Sequence, residues 1–295
     1  MTDPYSAYSV LTSKMVLRNG FKCRFKLSIL YLIFLDRHFS KFRTRNAIKS
    51  HDEFTSCMKV KVVLFDLGDT LVKTKKGIYL ELLKSLHESL ISNSVNLPFE
   101  ELKKAYFEVR EKEHEIIRQT LKEIDFSKRI SETLSNFGYV FKQNDKIITD
   151  ACEAFFKPFI DTTTIVKSAL KVLSVLKKKY RLGVVSDFLY PPAFRKMLQK
   201  FKLMRYFDIV VISSEVGWRK PHPAIFQAAL KSLEVSPYET VFVGDSIKRD
   251  IMPAKKLGMR TILIDLCGKI SLDKLSEEEK PDYILFKLED VLNVL

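Results

Sequence analysis

The sequence predicts an α/β protein: a parallel sheet with helices on both faces, and a separate all-helical domain inserted after the first strand. Three observations predict it. Short runs of Val, Ile, Leu and Phe recur without polar interruption, as in strands covered on both sides. From about residue 161 onward these runs alternate with helical patterns, the mark of crossover units in a parallel sheet. Between about 76 and 159 helical spacing occurs with no strand to break it.

The elements follow in order. Residues 1–57 carry ten Lys/Arg against four Asp/Glu and read as a basic, dispensable extension. Its apolar run Leu27–Leu35 is half the roughly twenty residues that a membrane-spanning helix needs. It has the length of a signal-peptide core, but no small-x-small cleavage site follows. A peripheral anchor, or a segment upstream of the true start at Met58, remain open readings. The first strand, Val60–Phe65, runs into Asp66, Gly68, Asp69 and Thr70, at the end of the strand where open α/β sheets place ligands.

The helical stretch occupies about 77–159. Its second segment starts near Pro98, with Glu100 and Glu101 close behind, a favourable helix start. Leu102, Tyr106, Val109, Ile116, Ile117 and Leu121 are expected to give that segment one apolar face. A third helix stops at Gly138, and ITDACEAFFKPF forms a fourth. The later helices are expected over 164–179, 192–201, 221–233 and 251–257. The strands between and after them are RLGVVSD, YFDIVVISS, ETVFVGDS, RTILID and YILF. The expected division is an extension at 1–57, a core of 58–75 and 160–295, and a helical domain at 76–159.

Composition bounds the function. With 46% hydrophobic and 29% charged residues the chain is globular. The net charge of +14 is spread unevenly, with +6 of it in residues 1–57, and calls for no nucleic-acid partner. Cys23, Cys57, Cys152 and Cys267 form no C-x-x-C pair, which argues against zinc and a disulfide framework and for a reducing, cytoplasmic setting.

Four separated segments place functional groups at strand ends: Asp66-Leu-Gly68-Asp69-Thr70, Ser186-Asp187, Arg219-Lys220-Pro221, and Gly244-Asp245-Ser246-x-x-x-Asp250. Asp66, Asp245 and Asp250 brought together would repel unless a cation neutralised them, and oxygen-only ligands select a hard ion such as Mg²⁺. Lys220 and the Thr70 and Ser186 hydroxyls add donors for an anionic group. Such a set can hold a phosphate and bear the charge that develops on transfer, with an Asp as nucleophile.

These motifs, in this order, resemble the haloacid dehalogenase-like hydrolase superfamily, in the subgroup with a helical cap after the first strand. The likeness covers about 58–295 and is strong in EVGWRKPHPAIFQAAL and VFVGDSIKRDIMPAKKLGMRTILI. It implies a Rossmann-like core, with Asp66 as nucleophile and metal ligand and the Gly68 carbonyl as a further ligand. It also implies phosphoryl contacts from Thr70 and Ser186, a phosphate clamp from Lys220, and metal ligands at Asp245 and Asp250. The expected function is Mg²⁺-dependent hydrolysis of a small phosphorylated metabolite through an aspartyl-phosphate, by a monomer or homodimer.

One departure bears on mechanism. In phosphatases of this family the residue two past the nucleophile is usually an Asp that protonates the leaving group; here it is Gly68, followed by Asp69. Four readings stay open: Asp69 supplies the proton; the acid is lost and the enzyme is slow; the chemistry needs no acid, as in a 2-haloacid dehalogenase; or the chain binds phosphate without catalysis. Asp187 is read as a cap or as an orienter of Lys220, His222 as local structure, Trp218 as packing, and Arg249 as facing solvent.

Overall fold

The computed structural model describes residues 59–268 and 275–295. The basic segment 1–57, its apolar run and Met58 lie outside them. Among the described residues no helix is long and apolar enough to cross a membrane.

Six strands form one parallel sheet: β1 (Val62–Phe65), β4 (Arg181–Ser186), β5 (Ile209–Ile212), β6 (Thr240–Gly244), β7 (Arg260–Ile264) and β8 (Tyr283–Leu285). Their order is β5-β4-β1-β6-β7-β8. β1 therefore runs between β4 and β6, with Phe65 in register with Val184 on one side and Val243 on the other. Both neighbours deliver their ends beside Asp66, whose N–H donates to Val243 O at 2.8 Å.

Strand alternation divides the core between two faces. Val63 and Phe65 pack with Leu182, Val184, Val241 and Val243 against α5 (Ala169–Leu176) and α6 (Pro191–Lys200). Val62 and Leu64 pack with Val185, Val211 and Phe242 against α8 (Pro223–Ser232) and α9 (Met252–Lys256). A strand covered on both faces has no polar side to show, which is why β1 is Val-Val-Leu-Phe throughout.

Between β1 and β4 the chain departs into four helices: α1 (Tyr79–Ser92), α2 (Phe99–Thr120), α3 (Phe126–Ser135) and α4 (Lys146–Thr162). α1 and α4 share a core of Leu82, Leu83, Leu86 and Leu90 with Ile148, Ala151, Cys152, Phe155 and Phe156. Cys152 is fully buried in this core, and burial pushes its thiol up to about 12. The exits from the sheet are joined by two short antiparallel strands, β2 (Val72–Lys73) and β3 (Thr164–Ile165). The apolar spacing predicts a helix over 164–179. The chain instead pairs at 164–165 and turns helical only at Ala169, with the Ala169 N–H donating to Val166 O at 2.9 Å.

The apolar face expected along α2 also stops early. Leu102, Tyr106 and Val109 are buried, whereas Ile116 is 47% exposed. Burial passes to a charged residue one turn beyond Val109: Glu113 Oε2 accepts from Arg129 Nε of α3 at 2.5 Å. Arg129 Nη1 donates to the Tyr106 hydroxyl at 3.0 Å, which also bonds Tyr79 Oη at 2.7 Å. Both ions of this pair are almost fully buried. Removing one partner of such a pair strands the other charge at a cost of about 3–5 kcal/mol. Glu113→Ala is expected to lose that much stability in denaturant unfolding, and a loss below about 1 kcal/mol would show that water reaches Arg129.

Candidate active site

Asp66 follows the last residue of β1 and is 6% exposed. Lys220 reaches it from the segment before α8, with Nζ 2.6 Å from Asp66 Oδ1 and 2.6 Å from Asp250 Oδ1. Asp250 lies in a π-helical turn, Ile247–Ile251, and accepts the Ser246 N–H at Oδ2, 3.0 Å away. That turn presses its acid against the end of β6. A Cβ on Gly244 would stand 2.6 Å from Asp250 Cγ, so only glycine admits the carboxylate there. Asp245 completes the group: Asp66, Asp245 and Asp250 each offer an oxygen, and all of these lie within 4.8 Å of one another.

The electrostatics follow from burial. Burial pushes Asp66 up to about 7, with Lys220 pulling the other way and Asp250 and Asp245 adding to the rise. Asp245 is pushed up to about 6, first by burial and then by the charge of Asp250. For Lys220 burial opposes the charge, but Asp250, Asp66 and Asp187 outweigh it and hold the ammonium above its usual range. The cluster thus carries more negative than positive charge. Asp245 Oδ1 is buried with no hydrogen-bond partner among the described residues. An all-oxygen donor set with an unpartnered buried carboxylate oxygen suits a hard divalent cation, and the residues present fit Mg²⁺.

The remaining candidates surround this group. Ser186 ends β4, beside β1, and is buried. Thr70 is fully buried, and its hydroxyl has no partner among the described residues. Asp69 is half-buried in the left-handed region at φ 54, and its charge acts on Asp245. Gly68, by contrast, has no positive φ, and an added Cβ would meet nothing within 4 Å. The glycine and the acid are therefore transposed relative to backbone need. The strained position holds the Asp, and the unstrained one holds the Gly.

Of the secondary residues, Asp187 orients the lysine segment: its Oδ1 accepts the Lys220 N–H at 2.8 Å. His222 is the N-cap of α8, with Nδ1 accepting from the Ala224 N–H at 3.2 Å, and Trp218 stacks on its ring at 4.0 Å. Arg249 is exposed, as expected. Yet Asp250, Asp245, Asp66 and Asp187 all act on its charge and raise its pKa against the opposing effect of burial. Sequence reasoning missed Glu123, which contacts Ser213 and Arg219 beside this site. No motif marks it.

A parallel α/β sheet with an acid, a lysine and two further carboxylates gathered at its carboxyl edge defines a class of hydrolase. Comparison with known proteins agrees. Residues 63–264 match the family described as haloacid dehalogenase-like hydrolase. A glyceraldehyde 3-phosphate phosphatase of Pyrococcus furiosus is 32% identical over 247 residues, 80% of this chain and 93% of that protein. A pyrophosphatase PpaX of Bacillus mycoides is 28% identical over 81% of this chain and 98% of its own. Among solved structures, a 2-haloacid dehalogenase of Pseudomonas syringae superposes with a TM-score of 0.59 at 25% identity, covering 80% of this chain and 97% of that one. The chain belongs to the haloacid dehalogenase-like hydrolases.

The raised pKa of Asp66 predicts a pH dependence. An acid at 3.8 in the unfolded chain and about 7 in the fold makes the native state the better proton binder between those values, so its contribution to stability falls as pH rises through that window. The unfolding free energy of metal-free wild type, taken relative to Asp66→Asn, is expected to decline across it. A flat difference would contradict the assigned direction.

Proposed function

We propose that this chain is a Mg²⁺-dependent phosphatase of a small phosphorylated metabolite, with Asp66 as the nucleophile. The observation that carries the reading is Lys220, shared at 2.6 Å by Asp66 and Asp250 with Asp245 alongside. A site meant for an uncharged substrate has no need of three carboxylates and a buried ammonium. The relatives named for phosphatase activity match over four-fifths of the chain and support the same reading. The helical block α1–α4, joined to the sheet through β2 and β3, acts as a cap over the strand ends. It supplies the pocket for the leaving group.

Lys220 holds Asp66 Oδ1 and so fixes the plane of the carboxylate toward the phosphorus. The Asp66 carboxylate forms the O–P bond in line as the P–O bond to the leaving group breaks. Asp69 gives its proton to the departing alkoxide, and Thr70 and Ser186 donate to the phosphoryl oxygens. Asp69, now ionised, takes a proton from the water that attacks phosphorus, releasing phosphate and restoring Asp66. Mg²⁺ held by Asp66, Asp245, Asp250 and the Gly68 carbonyl would neutralise the carboxylates, keep Asp66 ionised and polarise the phosphoryl group. The cap keeps bulk water from the acyl-phosphate.

Asp66→Asn is expected to abolish phosphate release while the protein stays folded, and chelation of divalent metal to abolish it in wild type. Full chelator-resistant turnover would overturn the metal's role. Halide release from a 2-haloacid without added metal would replace the phosphatase reading with a dehalogenase. Asp69→Asn is expected to slow an alkyl phosphate by about 10²–10⁴-fold. An activated aryl ester, whose leaving group needs no proton, should suffer much less. Equal losses on both esters would remove Asp69 from the acid's role.

A further inference from the structure

Two lines of contact run from the helical block to the floor of the site, and both begin at Glu123. This residue lies in the turn between α2 and α3, which is bound to the core by its backbone. The Glu123 N–H donates to Gly217 O at 3.0 Å and the Arg219 N–H to Leu121 O at 3.1 Å, with Lys122 and Trp218 bridged antiparallel between them. Lys122 Nζ stands 5.9 Å from the centre of the Trp218 ring. Pairing of this kind fixes where the Glu123 side chain points, and that side chain is 1% exposed.

The carboxylate divides between two core groups. Oε2 accepts from Ser213 Oγ at 2.5 Å, and that oxygen accepts in turn from the Phe188 N–H at 2.9 Å, two residues past Ser186. Oε1 lies 3.7 Å from Arg219 Nη1, while Arg219 Nε lies 3.9 Å from Asp187 Oδ2. Asp187 is the residue whose other oxygen holds the Lys220 N–H. One line thus ends on the loop after Ser186, the other on the segment that carries Lys220. Burial raises the Glu123 pKa, with Arg219 and Ser213 pulling the other way. A carboxylate out of water must be partnered, and its partners here lie in a different part of the fold. If the block swings away, Glu123 returns to water, and Ser213 and Arg219 lose the group that orders them.

We propose that Glu123 is a positioning residue: docked between Ser213 and Arg219, it couples closure of the helical block to the placement of Lys220 and the Ser186–Phe188 loop. The inference rests on the phosphatase reading, because the placement of Lys220 matters to turnover only if Asp66 is the nucleophile.

The test uses the full chain as wild type, Glu123→Gln and Glu123→Ala, with para-nitrophenyl phosphate and Mg²⁺. Two readouts are taken: kcat and KM, and amide exchange at Phe188, Arg219 and Lys220. Glu123→Gln keeps an acceptor for Ser213 but loses the charge facing Arg219. It is expected to lower kcat by about two- to thirtyfold, the range of coupling through such contacts, with a smaller change in KM and an unchanged melting temperature. Exchange at Lys220 and Phe188 should quicken in both variants. A drop in melting temperature with kcat and these two amides unchanged would make Glu123 a structural tie and overturn the proposal. If wild type itself shows no chelator-sensitive turnover, the phosphatase reading fails separately, and exchange alone decides the coupling. Faster exchange at Lys220 and Phe188 then supports it, and unchanged exchange overturns it.

Discussion

An ammonium taken out of water costs several kcal/mol unless carboxylates surround it, and Lys220 meets that condition by drawing Asp66 and Asp250 to 2.6 Å each. Most of the site geometry follows from this one group. The two acids come from different segments, the end of β1 and the π-helical turn after β6, and would repel each other without it. Asp187 fixes the lysine backbone, Gly244 makes room for the Asp250 side chain, and Ser246 orients its second oxygen. One positive charge cannot balance Asp66, Asp245 and Asp250, and that imbalance is what suits the cluster to a cation.

The sheet order puts this balance within reach of a ligand. β1 lies between β4 and β6, so the carboxyl ends of three adjacent strands carry Ser186, Asp66 and Asp245 side by side. The chain leaves for the helical block directly after the loop that follows Asp66 and returns through a two-residue strand pair. The sheet therefore holds the gathered side chains, and the helical block is tied to it through the turn at 121–125.

Much of this was legible in the sequence, for physical reasons that differ by residue. The buried strand before Asp66 has no polar face, so an unbroken apolar run exposes it. Asp66, Lys220, Asp245 and Asp250 belong to spaced motifs, and three acids with one lysine already imply a cation and an anion. Other features left no trace in periodicity. β2 and β3 are two residues each, too short for any alternation to register. Ile116 is exposed because Glu113 takes the buried place beyond Val109, and only a partner on another helix, Arg129, makes that tolerable. Glu123 is a charged residue in a charged stretch. Its partners, Ser213 and Arg219, are some ninety residues away and could be found only in space. Asp69 lies between these cases: its departure from the usual order was visible, but its strained φ beside an unconstrained Gly68 was not.

As the nucleophile, Asp66 would become phosphorylated during turnover. Acid-quenching the enzyme while it hydrolyses a phosphomonoester, reducing with borohydride and sequencing the peptides by mass spectrometry would show this. Homoserine is expected at Asp66, dependent on substrate and on Mg²⁺. Sustained phosphate release with Asp66 unmodified, under conditions that trap a known acyl-phosphate, would contradict it.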